Sequence, residues 1–266
     1  MRREKTVGII GFGNMGSAIS EGLLFKEWRV YVYDRNKRKL RGEKKYFVSP
    51  STDHLIQHSP YIIIAVKPQD IPALLEEIKE GVLIHRPLII SIAAGVSIKF
   101  FEERLPKIKI IRVMPNLAAK KRESISFISP GRLVSLKDIE IAKEIFKCIG
   151  EAVLIKESFL DKVTAISGSG PGYVYYFMDT LYKSALSLGF SRIIAMRMVK
   201  KTFLGAITLI KDSREDFSLW IKKVASPGGT TQAALDFWKN CKLERLVRRG
   251  IKKAYLRARQ LNLKKK

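Results

Sequence analysis

The chain has 266 residues, 46% of them hydrophobic, and carries 50 lysines and arginines against 25 acids for a formal charge of +25. That is room for about two domains with sizeable cores, so a disordered chain is excluded. No apolar stretch reaches the roughly 18 residues of a membrane span, and two separated cysteines, Cys148 and Cys241, exclude a disulfide framework or a cysteine-rich metal site.

Residues 1–5 run straight into a strand pattern with no secretory h-region, so the cytoplasm is the expected location. In chain order, 6–10 reads as a strand, 14–25 as a helix, 29–33 as a strand, 47–48 as a short strand and 61–66 as a strand ended by Pro68. A helix is expected over 71–79, a strand over 88–93, a short helix over 98–105 and a strand over 108–113 stopped by Pro115. Strands at 124–128 and 152–155 flank a helix over 136–149. This alternation predicts an α/β domain, residues 1–156, with a doubly wound, parallel Rossmann sheet.

The period then changes. Residues 172–188, 191–211, 217–224, 230–240 and 243–261 all repeat near 3.6, and no strand pattern appears after Phe159. Residues 157–266 are therefore expected to form an all-helical domain. One helix face collects Val174, Phe177, Met178, Leu181, Ala185 and Leu188, too apolar for solvent, so a homodimer through this domain is expected.

The strand at 6–10 ends in Gly11-Phe12-Gly13-Asn14-Met15-Gly16, a G-x-G-x-x-G that opens a helix inside a βαβ unit. In that context the motif predicts dinucleotide binding: Gly11 for the turn, Gly13 for approach of a pyrophosphate, Gly16 for helix–strand packing. The helix N-terminus adds free N–H groups and positive dipole. Asp34 ends the second strand, where a carboxylate favours the ribose 2′-OH of NAD; Arg35, Lys37 and Arg38 follow and favour the 2′-phosphate of NADP. Asp34 turned away onto Arg35 is equally open, so the choice between NAD and NADP stays open at this stage.

Three further loops follow strand ends: Val66-Lys67-Pro68, Ala93-Ala94-Gly95 and Met114-Pro115-Asn116. They are expected to surround the nicotinamide, with Lys67 either a substrate-facing cation or a charged loop residue. His54 and His58 lie four apart but lack a third ligand, so no metal is expected, and His85 reads as a surface residue before Pro87. In the helical domain Ser226-Pro227-Gly228-Gly229-Thr230-Thr231 places glycines and hydroxyls just before a helix. It is either a cradle for a carboxylate or a capped helix start. A second hydroxyl-glycine turn, Ser167-Gly168-Ser169-Gly170-Pro171, opens the first long helix.

These segments, with Ala65-Val66-Lys67-Pro68 and Ser91-Ile92-Ala93-Ala94-Gly95-Val96, resemble the pyrroline-5-carboxylate reductase family nearly end to end. The resemblance implies hydride transfer from NADH or NADPH to the C=N carbon of 1-pyrroline-5-carboxylate, giving L-proline. It implies an intertwined helical dimer, often assembled into larger rings. It implies the substrate carboxylate on Ser226, Gly228, Gly229 and Thr230, with the Thr231 hydroxyl at the ring nitrogen. A protonated cyclic imine is already electrophilic, so orientation matters more than acid catalysis.

The chain departs from the family pattern at Leu117-Ala118-Ala119-Lys120-Lys121-Arg122-Glu123, at Lys183-Ser184 and at Trp220-Ile221-Lys222-Lys223, adding positive charge. Two other readings compete. The replaced loop after Asn116 favours a divergent relative, such as the competence-associated members of the superfamily, with another small anionic substrate. Basic residues cluster at 35–45 and in the tail at 242–266, and the tail alone favours a nucleotide- or nucleic-acid-binding protein. No zinc-finger, RGG or RNP pattern accompanies that charge, and a solvated basic surface explains it as well. Neither a nucleic-acid partner nor a membrane partner is expected.

Overall fold

A computed structural model describes residues 5–41 and 45–261; residues 42–44 of the first basic run and 262–266 of the basic tail lie outside the described residues, as do 1–4. The chain divides into two compact units, Met1–Pro171 together with Ala254–Lys266, and Gly172–Lys253.

The first unit is built on one sheet. Its strands are β1 (Thr6–Ile10), β2 (Arg29–Tyr33), β3 (Phe47–Val48), β4 (Tyr61–Ile64), β5 (Leu88–Ser91), β6 (Lys109–Met114), β7 (Ser124–Pro130) and β8 (Gly150–Leu154). Their order is β3-β2-β1-β4-β5-β6-β7-β8. From β3 to β6 every pairing is parallel, with Ile9 between Val32 and Ile63 in register. β1, β4 and β5 are buried along their whole length, as the unbroken Ile and Val runs of a sheet covered on both faces require.

Helices α1 (Asn14–Phe25) and α5 (Leu136–Lys147) cover one face, burying Ile19, Leu23 and Phe146 against Val7, Ile9 and Ile63. Helices α2 (Thr52–Gln57), α3 (Ile71–His85) and α4 (Ile98–Arg104) cover the other, burying Leu55, Leu75, Ile78 and Phe101 against Ile10, Ile62 and Ile89. A short helix α6 (Leu160–Val163) follows β8.

The sheet is not parallel throughout. β7 runs antiparallel to β6, then β8 parallel to β7. A parallel strand needs a crossover of about a dozen residues or more; only 115–123 separate β6 from β7, so the chain turns back. β4 and β5 end at Ile64 and Ser91, earlier than the apolar runs suggest, which leaves Ala65–Lys67 and Ile92–Gly95 free as loops. α3 runs past Lys79 and makes His85 its last residue rather than part of a connection; Arg86 leaves in the left-handed conformation (φ 48°), and Pro87 bars continuation.

The second unit is helical: the body of α7 (Gly170–Ser187), then α8 (Arg192–Ile210), α9 (Phe217–Val224), α10 (Thr230–Asn240) and most of α11 (Leu243–Gln260). Its described residues bury little of their own: Ala185, Ala195 and Val199. Tyr175, Leu188, Ile193, Leu204, Ile207 and Leu209 stand exposed, an apolar surface of the kind that marks an interface. Among the described residues no helix is long and apolar enough to cross a membrane.

Candidate functional site

Because β1, β4, β5 and β6 are parallel, their carboxyl ends share one edge of the sheet, and the order reverses between β1 and β4, where a doubly wound fold opens its crevice. The loops Gly11–Asn14, Ala65–Pro68, Ile92–Gly95 and Met114–Asn116 all lie on that edge. Gly11 requires its glycine twice: φ is 100°, and a Cβ would sit 2.8 Å from the Ala65 backbone. A Cβ on Gly16 would strike the carbonyl oxygen of Gly11. Gly13 differs, because its backbone is extended and a Cβ there would meet nothing within 4 Å.

Gly13 is also the N-cap of α1, and no side chain caps that helix. Serines cap α2, α4, α5 and α8, at Ser51, Ser97, Ser135 and Ser191. The first-turn N–H groups of α1 are thus left for a ligand.

Asp34 is buried, and its carboxylate is engaged inside the protein. Oδ2 accepts from the Phe12 N–H at 2.7 Å and from Lys39 Nζ at 3.0 Å, and Oδ1 accepts from the Asn36 N–H at 2.8 Å. Burial alone raises its pKa, but these bonds and the Lys39 charge outweigh burial and hold it below the ordinary carboxylate range. Asp34 therefore does not turn onto Arg35. The Arg35 guanidinium pairs with Glu77 of α3 at 2.7 Å, and Glu77 accepts the Thr52 hydroxyl at 3.1 Å. Lys37 lies over the Tyr33 ring, 4.4 Å from its centroid.

Lys67 is the N-cap of a 3-10 turn that Pro68 begins ahead of α3; Lys67 is exposed and the preceding Val66 half-buried. Ala93 is buried, its N–H donating to Ser91 Oγ at 3.3 Å. Gly95 (φ 73°) leaves no room for a Cβ, which would lie 2.8 Å from the Leu261 backbone. The half-buried Met114 reaches Gly168, and Asn116 Nδ2 donates to Ser167 Oγ at 3.2 Å, which ties the β6 loop to the hydroxyl-glycine turn. Asn116 Oδ1 accepts from the Ala118 N–H at 3.1 Å and starts a 3-10 turn over Leu117–Lys121.

Within the second unit, Ser226–Gly229 is a turn with Pro227 second and Gly228 third at φ 71°, closed by Gly229 N–H donating to the Ser226 carbonyl at 3.0 Å. Gly229 is the N-cap of α10 and again no side chain caps the helix. The simple capped start weighed from the sequence is thus not what forms. Ala233 N–H to the Gly229 carbonyl, at 3.0 Å, is the first helical bond, so the N–H groups of Thr230 and Thr231 stay free for an anion.

The sequence reading missed Lys120 and Arg112 as contributors. Lys120 Nζ donates to Asn14 Oδ1 at 3.2 Å. Arg112, buried on β6, reaches Glu157 at 3.3 Å and Asp161 at 3.2 Å. A charged residue inside the apolar strand Lys-Ile-Ile-Arg-Val-Met was the available signal for Arg112. His54 and His58 stack ring on ring, centroids 4.3 Å apart, and among the described residues no His/Cys/Asp/Glu cluster could hold a metal.

Residues 157–261 match the family model described as pyrroline-5-carboxylate reductase dimerisation, and residues 6–95 match that described as NADP oxidoreductase, coenzyme F420-dependent. The chain is 32% identical over 266 residues to pyrroline-5-carboxylate reductase 2 of Bacillus subtilis, covering 97% of this chain and 95% of that one. It is 33% identical over 265 residues to the pyrroline-5-carboxylate reductase of a Synechocystis species, covering 97% and 98%. Among solved structures it is similar to the Plasmodium falciparum pyrroline carboxylate reductase with NADP bound, with TM-score 0.88, 28% identity, and coverage of 97% and 98%.

Proposed function

Since the chain belongs to the pyrroline-5-carboxylate reductase family, we propose that it reduces 1-pyrroline-5-carboxylate to L-proline by hydride transfer from NAD(P)H to the C=N carbon. One observation of the structure carries the reading beyond kinship: α1 and α10, the helices the motifs assign to cofactor and substrate, both begin on a glycine N-cap with no side chain capping them. When bound, the nicotinamide supplies the hydride. The chain's own groups do the rest. Gly11–Gly16 and the free N–H groups of α1 hold the pyrophosphate, and the loops at Val66–Pro68, Ala93–Gly95 and Met114–Asn116 enclose the nicotinamide. Ser226, Gly228, Gly229 and Thr230 hold the substrate carboxylate, and the Thr231 hydroxyl holds the ring nitrogen. The enzyme works in the cytoplasm as a homodimer through its helical domain, residues 157–266, the unit from which larger rings are built.

The deciding experiment is NAD(P)H oxidation by the purified full chain with 1-pyrroline-5-carboxylate, wild type beside Thr231→Ala. Wild-type turnover to proline is expected. Thr231→Ala is expected to lower kcat about 10- to 100-fold, the size of one hydrogen bond to a charged group, with NAD(P)H affinity unchanged. A wild-type chain that binds cofactor but does not oxidise it with this imine overturns the substrate. A fully active Thr231→Ala removes the hydroxyl from the mechanism.

Cofactor preference divides differently from what the sequence position of Asp34 predicts, which is that Asp34→Ala weakens NADH more than NADPH. Asp34 holds the Phe12 N–H, so Asp34→Ala loosens the glycine loop that both cofactors share. Both affinities are expected to fall, and stability by about 1–3 kcal/mol, the cost of an orphaned buried donor. Arg35→Ala is expected to weaken NADPH more than NADH. Titration with each cofactor checks both, and an Asp34→Ala effect confined to NADH would restore a ribose contact. The sign with pH follows from the lowered pKa of Asp34. Its contribution is complete above the ordinary value of about 3.9 and is lost as pH falls through the folded value.

A further inference from the structure

We propose that Lys120 is a phosphate-binding residue, its ammonium pairing with the pyrophosphate of the dinucleotide at the N-terminus of α1. The proposal rests on the NAD(P)H reading above and adds to it a ligand-binding side chain from the 3-10 turn after Asn116.

The 3-10 turn over Leu117–Lys121 is fixed along α1 rather than hanging over the crevice. Asn116 caps its start, Ala119 is buried in the core that α1 shares, and the Arg122 guanidinium ends it 3.7 Å from the centroid of the Phe25 ring, at the last residue of α1. That anchoring delivers Lys120 to the opposite end of the same helix, where Nζ donates to Asn14 Oδ1 at 3.2 Å. Asn14 is the first residue of α1, and the cap beside it is Gly13, with open space where a side chain would be.

The electrostatics of that position call for an anion. A helix N-terminus is already positive, so a lysine there is repelled by the dipole and would be better placed at the other end. No carboxylate offsets it: among the described residues Lys120 makes no ion pair, and its one bond is to a neutral amide. The doubly charged pyrophosphate expected on the free N–H groups supplies the missing partner. A charge-assisted N–H···O bond replaces the bond to Asn14, at a group common to both cofactors.

The test uses the full-length enzyme and titrates NADH, NADPH and ADP-ribose by fluorescence or equilibrium dialysis. Lys120→Gln is expected to raise all three dissociation constants by one common factor of about ten, as for loss of one exposed charged hydrogen bond. Lys120→Arg is expected to stay within about twofold of wild type. Lys121→Gln, which removes the neighbouring charge, is expected to leave affinity in place. The wild-type affinity should fall more steeply with salt than that of Lys120→Gln. Unchanged affinity in Lys120→Gln overturns the proposal while leaving the reductase reading intact. A loss confined to NADPH overturns it by moving Lys120 to the 2′-phosphate, and an equal loss in Lys121→Gln overturns it by showing only general charge. Wild type that binds none of the three ligands overturns the reductase reading and this proposal together.

Discussion

Gly13→Glu is expected to abolish dinucleotide binding in a protein that still folds. The two halves of that result have separate causes. Gly13 has φ −81° and ψ −166°, an extended conformation open to any residue, and a Cβ there meets no atom within 4 Å. The fold therefore has no stake in this glycine, and the melting temperature should hold. The space a glutamate would fill is the space a pyrophosphate needs, and its carboxylate adds a like charge to it. Repulsion at about 4 Å is worth roughly 1 kcal/mol in bulk water and about 4 kcal/mol at the dielectric of a protein surface. With the lost van der Waals space, Kd for NADH and NADPH should rise about a hundredfold or more. Gly16→Ala makes the contrast, because its Cβ would strike the Gly11 carbonyl oxygen and so cost stability first. The two variants are compared by cofactor titration and thermal melting. Wild-type affinity in Gly13→Glu would remove this loop from the cofactor site, and a Gly13→Glu that fails to fold would show that the open space is not open.

What could be read from the sequence was what is local. Gly11, Gly13 and Gly16 lie within six residues and Gly16 packs on the Gly11 carbonyl, so motif spacing carries that contact, while the approach of Gly11 to the Ala65 backbone spans two strands. Apolar runs placed the strands and the 3.6 repeat placed the helices, because both periods are short. Direction was harder: whether β7 joins β6 parallel or antiparallel depends on the length of 115–123, not on any residue in either strand. Side-chain partners were out of reach where they are distant in the chain. Asp34 looked like a ribose ligand because its position fits one, yet its acceptors are taken by Phe12, 22 residues away, and by Asn36 and Lys39. Arg35 chose Glu77, 42 residues on, over the adjacent acid. Lys120 and Asn14 are 106 residues apart. At the second glycine turn the missing cap on α10 was equally hidden, since serine and threonine stand where caps usually do and the backbone places Gly229 there instead.

The same contrast between local pattern and distant partner governs Arg112, whose removal is expected to be the most damaging to stability. Its side chain is 6% exposed on β6 and faces two carboxylates, Glu157 at 33% and Asp161 at 18%. Glu157 also accepts the Ile98 N–H at 2.7 Å, so one cluster within the first unit ties β6, the start of α4 and the entry to α6. Arg112→Ala leaves two carboxylates together with their shared cation gone and a cavity where the guanidinium lay. Breaking one partner out of a buried charge group costs about 3–5 kcal/mol. The lower end applies here because Glu157 keeps contact with water, which screens it. A loss of about 3 kcal/mol lowers Tm by roughly 6–12 °C in a chain of this size. The triple variant Arg112→Met, Glu157→Gln, Asp161→Leu removes all three charges, while the side-chain amide introduced in place of Glu157 can still accept from the Ile98 N–H. It should recover at least half of the loss, since desolvating the charges costs much of what their attraction returns. Urea midpoints at one fixed protein concentration make the comparison, because dimerisation makes stability depend on concentration. An Arg112→Ala unfolding free energy within about 1 kcal/mol of wild type would mean water already shields the cluster. A triple variant weaker than Arg112→Ala would mean that the attraction among the three charges, and not the cost of burying them apart, is what joins β6 to the helices.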